Sequence, residues 1–198
     1  MKEGVTGATA KTPESILFGA CTVHKGLKYT AGSEGGTGTW NFAESIVGAT
    51  SGGSKMSLVP EITNVEVDGV FVKTKGLQKK TGGTGSAEVN FIELSQDVIK
   101  AALLAKVGES TDTNYVLLED KADIEETDYW ENIALVGKTL AGKPIIAILD
   151  NVLCTSGFEP EPKNKEGTVV KLTFECHGEL GKHTDTLPWH IYYPKAAV

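Results

Sequence analysis

Ala87-Glu-Val-Asn-Phe91 alternates apolar and polar residues, and a few positions later Ser95-Gln-Asp-Val-Ile-Lys-Ala-Ala-Leu-Leu-Ala105 switches to helical spacing. The alternation places Ala87, Val89 and Phe91 on one face of a strand and Glu88 and Asn90 on the other, as a half-buried sheet requires. In the second stretch Val98, Ala101, Ala102 and Ala105 share one helical face, which Leu103 and Leu104 widen. Ser95 suits the N-cap because its hydroxyl can accept an unsatisfied N–H of the first turn. Asp97 complements the helix dipole, and Gly108 is the expected stop after Lys106. One helix among many strands predicts a sheet structure with a helix packed beside it.

On the N-terminal side, Val65-Glu-Val67 and Val70-Phe-Val72 flank Asp68-Gly69, the strongest short hairpin signal in the chain. A type I′ turn needs positive φ at both central residues, which Asp tolerates and Gly adopts freely. Lys73-Thr-Lys75 is expected to continue the second strand, and Thr81-Gly-Gly-Thr-Gly85 to form a further turn. Ile16 to Val23 is expected to be the first strand. The glycine-rich segment from Thr30 to Gly38 is expected to be a loop, and residues 1–15 a polar arm.

On the C-terminal side, short strands are expected at Asn114–Leu118, Asn132–Val136, Pro144–Leu149 and Thr168–Glu175. The acidic run Glu119–Glu131 follows the first of these, and the Pro-containing loop Glu159–Gly167 precedes the last. Leu187-Pro-Trp-His-Ile-Tyr-Tyr-Pro194 is aromatic and extended, so residues from about 183 to 198 form a second arm expected to dock on a surface. No repeat or linker divides the chain. Residues 1–198 are expected to form a single domain with two arms.

Composition narrows the function. The net charge is −7 and all 19 basic residues are lysine. Arginine supplies the planar fork that grips phosphate and guanine, so an acidic chain without it is a poor tight binder of nucleic acid. Cys21, Cys154 and Cys176 are odd in number and widely spaced, which predicts reduced, mostly buried thiols. The longest apolar stretch, Pro144–Leu149, is far too short to span a bilayer, and no apolar segment resembling a secretory signal follows Met1. The chain is expected to be made in a cytoplasm and to have no membrane partner.

Catalytic patterns are incomplete. Gly137-Lys-Thr139 resembles the end of a phosphate-binding loop, but Asn132 stands where the loop needs its first glycine, so a hairpin turn is the better account. Gly48-Ala-Thr-Ser-Gly52 has the outline of a nucleophile elbow with Thr50 in the wrong place. Cys176, His177, His183 and His190 lack the paired spacing of a zinc site, since adjacent strand residues face opposite ways. The run Glu119, Asp120, Asp123, Glu125, Glu126, Asp128, Glu131 lacks the order and glycine of a calcium loop, and reads as solvated acid. No enzyme activity, cofactor or metal is expected.

Five stretches, in order, resemble the major tail tube proteins of long-tailed, siphovirus-type bacteriophages. They are Thr12-Pro-Glu-Ser-Ile-Leu-Phe-Gly-Ala20, Ile46–Gly53 running into Lys55–Glu61, Val65–Gly69 with Val72–Gly76, Ala87–Leu94 leading into the helix, and Val169–Glu175 with Leu187–Tyr193. The resemblance implies a mainly β (α+β) fold: two packed antiparallel sheets forming a sandwich or barrel with one flanking helix. It further implies rings of six subunits that stack into a hollow tube through which the genome passes. Partners would be other copies of the chain, a tape measure protein, a tail terminator and distal tail or baseplate proteins, in a virion tail assembled in the host cytoplasm. DNA would pass without sticking, and an acidic bore with few lysines would repel it.

Contact roles within such an assembly are expected for Val65, Val67, Asp68, Gly69, Val70 and Val72 in the hairpin and for Trp189, Tyr192 and Tyr193 in the C-terminal arm. At 21.0 kDa a compact subunit would expose roughly 9,000 Å². Two other functions fit a chain of this kind. One is the inner-tube subunit of a contractile tail or tail-like secretion device. The other is a β-sandwich surface or carbohydrate-binding module using Trp40, Trp130 or Trp189.

Overall fold

A computed structural model of the chain describes residues 7–17, 19–33, 36–182 and 184–195. In chain order its elements are α1 (Thr12–Ser15), β1 (Thr22–Lys25), β2 (Tyr29–Thr30), β3 (Thr39–Trp40) and α2 (Phe42–Ser45). Then come β4 (Thr50–Asn64), β5 (Gln78–Phe91), α3 (Gln96–Leu103), β6 (Lys106–Gly108) and β7 (Leu117–Glu119). A 3-10 turn (Glu126–Asp128), β8 (Trp130–Lys138), β9 (Pro144–Cys154), β10 (Val170–Cys176) and β11 (Trp189–Tyr192) complete the chain. The fold is mainly β, with antiparallel sheets and one flanking helix of substance, as the alternating and helical patterns predict.

The main sheet has seven strands in the order β1-β8-β9-β10-β5-β4, with β11 added to β9. Its inner face carries Phe91, Ile133, Leu149, Leu172 and Phe174, all fully buried, and Val98, Ala101 and Ala102 of α3 pack into the same core. The Trp130 ring on β8 lies 4.7 Å from the Phe174 ring on β10, although β9 runs between them. Flat strands two apart are separated by roughly 9.6 Å, so the sheet curls around this core. The outer face of β8–β9 is also covered: Ala134, Val136, Ile146 and Ile148 pack with Leu27, Trp40 and Phe42. Burial on both faces explains why these two strands read as continuous apolar runs. Asn132 is tolerated there because its side chain satisfies the Leu27 backbone, accepting its N–H at 2.9 Å and donating to its carbonyl at 3.2 Å.

Strand β9 serves two neighbours. Leu149 and Val152 both face the main core, although a period of two would place them on opposite faces. Asn151, held at φ 49, supplies the break. Before it, Ile146–Leu149 pair with β11; after it, Val152–Cys154 pair with β10.

The helix keeps its expected start, with Ser95 Oγ accepting the Val98 N–H, but not its expected end. Leu104 turns left-handed at φ 49, and its own N–H together with that of Ala105 returns to the Ala101 and Lys100 carbonyls. Gly108 belongs to β6, which pairs with β7, so the strand expected at Asn114–Leu118 begins later. The first strand also starts later than expected, at Thr22, while Leu17 makes an isolated bridge to Thr139. The described part of the N-terminal arm is pinned to the β8–β9 turn: the Pro13 and Ile16 carbonyls accept the Ala141 and Leu140 N–H groups at 3.1 and 3.0 Å. Residues 1–6 of that arm lie outside the described residues, as do His183 and residues 196–198 at the other end. Among the described residues no helix is long and apolar enough to cross a membrane.

Candidate assembly surfaces

The β4–β5 hairpin is paired from Thr50 and Phe91 at its root to Asn64 and Gln78 at its far end. Its root is half-buried: Ala87, Val89 and Phe91 are at 0% exposure while their neighbours Glu88 and Asn90 face outward. Its distal part meets the rest of the subunit only at its base, where Val59 and Pro60 lie beside Leu187 and Trp189. From Val59 to Thr81 every residue except Leu77 is exposed. Six ladder positions at about 3.4 Å per residue make an arm roughly 20 Å long before the tip loop begins.

Residues 65–77 form that tip, and here the expected pairing fails. Val65–Val67 and Val70–Val72 are not strands, and neither is Lys73–Lys75. The Val70 N–H does close a turn on the Val67 carbonyl at 3.1 Å, but only Gly69 has positive φ, at 84°, and Asp68 does not. A single positive φ at the third position is the type II pattern, whose twist splays the flanking chains, whereas type I′ would have paired them. A second turn, from Thr74 to Leu77, and a bond from the Val65 N–H to the Leu77 carbonyl at 2.7 Å close the loop. The segment Thr81–Gly85 is not a turn either; it runs within β5. Gly85 is there because a Cβ would stand 2.6 Å from Cys176 Sγ.

Val65, Val67, Asp68, Gly69, Val70 and Val72 thus lie together on an exposed tip, with Val72 at 76% exposure. Phe71, at 95%, is the most exposed large apolar residue of the group, and Val59 and Ile62 extend the apolar surface down the arm. These three were not singled out from the sequence. No local signal marks a strand whose apolar side chains have no sheet opposite them. Four lysines, Lys73, Lys75, Lys79 and Lys80, decorate the same arm. Among the described residues none of them forms an ion pair. Strand β4 ends the sheet order, so its outer backbone edge has no strand partner among the described residues.

Trp189, Tyr192 and Tyr193 lie elsewhere. The C-terminal arm docks on its own subunit as β11, and Tyr192 meets Trp40 edge-on at 4.9 Å. Trp189 sits beside the middle of the hairpin, near Leu58, Val59, Pro60, Gly83 and Leu187. His190 Nε2 lies 3.0 Å from Asp150 Oδ2 and helps hold the strand. All three aromatics remain 40–57% exposed. The nine residues therefore form two groups, six at the hairpin tip and three in or just after β11 on the body of the subunit.

The acidic run is only partly solvated, contrary to the sequence expectation. Asp128 is buried and holds Lys121 through both carboxylate oxygens, at 2.6 and 2.8 Å. Burial pushes the Asp128 carboxyl up, but hydrogen bonds from Lys121 and the Glu125 N–H outweigh it and leave it below the usual carboxylate range. The hydrogen bond that Lys121 donates to Asp128 raises the pKa of its ammonium. Asp120, Asp123 and Glu126 stay exposed and outside any ion pair among the described residues. Close to them in sequence, Tyr115, Val116, Leu117 and Ile124 are exposed apolar residues, with Tyr115 at 72%.

The three thiols are free; Cys154 and Cys176 are buried and Cys21 is half-buried. Burial raises all three above the ordinary thiol range, so they behave as small apolar groups. Gly137 and Lys138 end β8, and the turn expected at Gly137–Thr139 falls one step later, where the Gly142 N–H bonds the Thr139 carbonyl at 2.8 Å. The chemistry on offer is that of extended apolar and charged surface. No protein-family model matches the chain, and no curated protein matches it significantly.

Proposed function

We propose that this protein is a self-assembling structural subunit of the phage tail tube type, forming rings that stack into a hollow tube. The observation that carries the proposal is the projecting β4–β5 arm. A roughly 20 Å strand pair ending in Val65, Val67, Val70, Phe71 and Val72 is stable surface only if another molecule covers it. The ordered resemblance of five sequence stretches to tail tube proteins names the kind of assembly.

Area supports the same reading. The subunit exposes 14038 Å², against roughly 9,000 Å² for a compact chain of this mass. Four neighbours covering about 800 Å² each would bury much of the difference. The unpaired β4 edge offers one lateral contact, since ring closure pairs edges that a monomer must leave open. Its partners under this proposal are other copies, a tape measure protein, a tail terminator and distal tail proteins, with DNA passing through. The carbohydrate-module alternative is less well supported, because Trp130 is buried in the core and Trp40 is packed among Phe42, Tyr29 and Tyr192.

Electron microscopy of the purified protein over a rising concentration series tests the proposal. Rings or tubes are expected from the native chain and a marked loss of them from Phe71→Ser. A native chain that stays monomeric throughout, with or without tail-initiation components, overturns it.

A further inference from the structure

Asp68-Gly69 is the one place in the chain where an aspartate or an asparagine precedes a glycine. In such a pair the glycine amide nitrogen can close a five-membered ring on the side-chain carbon Cγ, and the missing Cβ leaves that approach open. Both residues are exposed and lie outside any strand. Among the described residues the Asp68 carboxylate makes no hydrogen bond or ion pair, and the Gly69 N–H donates to nothing. A Cβ built on Gly69 would have nothing within 4 Å, so no neighbouring group crowds the pair. One bond spans it, from the Val70 N–H to the Val67 carbonyl at 3.1 Å. No ladder restrains the backbone rotation that ring closure needs. Other exposed aspartates differ on these counts. Asp112 accepts from the Asn114 N–H and side-chain amide at 2.9 and 2.8 Å. Asp120 accepts the Lys121 N–H at 2.9 Å, and Asp123 is followed by the β-branched Ile124.

We propose that Asp68-Gly69 of the free subunit is a self-modifying site, which converts to isoaspartate through a succinimide with water as its only co-reactant. The Gly69 nitrogen attacks Asp68 Cγ and forms a C–N bond. One carboxyl oxygen leaves as water, carrying the amide proton and one proton from solvent. Water then adds to either carbonyl of the ring. Breaking the bond from nitrogen to Cγ restores aspartate, whereas breaking the bond from nitrogen to the Asp68 backbone carbonyl carbon gives isoaspartate. In both cases the new carboxylic acid releases its proton to solvent, and nothing is oxidised or reduced. Isoaspartate routes the main chain through Cγ, which inserts a methylene into the crown and exposes an α-carboxylate. The loop closed by the Val67–Val70 bond gains an atom, so Gly69 no longer sits at the third position of a type II turn. The site depends on the geometry of the tip alone and holds whether or not copies of the chain assemble.

Peptide mapping of the dilute, folded protein after weeks of warm incubation at neutral pH tests this. The peptide spanning Asp68 should yield a second form of equal mass that elutes separately and resists a protease specific for aspartate. That form should also accept a methyl group on its α-carboxylate from S-adenosylmethionine when an isoaspartyl methyltransferase is added. Its rate of appearance should exceed that at Asp112 or Asp120 by about tenfold or more, as the missing Cβ of glycine requires. It should also lie within about threefold of the rate in the urea-unfolded chain, as an unprotected loop tip implies. Asp68→Glu keeps the charge but would need a six-membered ring, and should abolish the product. Asp68→Asn should speed it, with ammonia leaving in place of water. Position 68 is exposed, so both variants should keep the native melting temperature. Equal rates at the other aspartates, product only in the unfolded chain, or product that persists in Asp68→Glu each overturns the proposal.

Discussion

His24 is 1% exposed, between Thr22 Oγ1 at 2.8 Å from its Nε2 and Ser45 Oγ at 2.9 Å from its Nδ1. Ser45 donates its own proton to the Asn41 carbonyl, so Nδ1 is the donor in its bond to Ser45. Burial lowers its pKa below the ordinary value near 6.5. The unfolded chain therefore binds the extra proton first, and the stability from this histidine is fully present above about pH 6.5 and is lost as pH falls below it. The unfolding free energy, taken from denaturation midpoints between pH 7.5 and 5, should decline by no more than about 1.4 kcal/mol per pH unit for one proton, and His24→Gln should flatten that slope. Single residues were unevenly legible beforehand. Ser95 as a cap and Ala87, Val89 and Phe91 as core follow from local rules. His24 and Asp128 do not, because their burial depends on α2 and on Lys121 folding over them.

At the scale of elements, the glycines of β5 show how composition misleads. Thr81-Gly-Gly-Thr-Gly85 has the makeup of a turn, yet it lies in an extended ladder with Leu58–Glu61 opposite. What calls for Gly85 is the approach of Cys176 and Leu58 from other strands, which no local pattern encodes. Gly85→Ala should destabilise by about 1–3 kcal/mol through overpacking, read as a lower denaturation midpoint at unchanged slope. Conversely, Asp68-Gly69 was legible as a turn but not as the crown of a much longer hairpin. Its neighbours Val65–Val67 and Val70–Val72 have strand composition and no partner, because the turn type splays them.

At the scale of the whole molecule, the curled sheet separates a dense body from a bare arm. The body holds the α3 contact, the two-faced β8–β9 pair and both docked termini as far as they are described. The arm holds Lys73 and Lys75 in an exposed loop outside any strand and Lys79 and Lys80 at the exposed start of β5. Trypsin is therefore expected to cut first at Lys73 and Lys75 in the dilute subunit, leaving the body intact. The same sites should be protected at concentrations where rings or tubes form. Cleavage that proceeds equally fast in both conditions would separate the arm from the assembly contact.

The sequence by itself determined the class: mainly β, one helix beginning at Ser95, three reduced thiols and an acidic chain without arginine. These are properties of periodicity and composition, which act within a few residues. Only the tertiary structure decided which apolar residues are core and which are surface. Val89 and Phe71 are equally good strand residues, and one is at 0% exposure while the other is at 95%. The difference is whether another layer lies opposite, and that depends on the curl of the sheet and on where β4 and β5 outrun it.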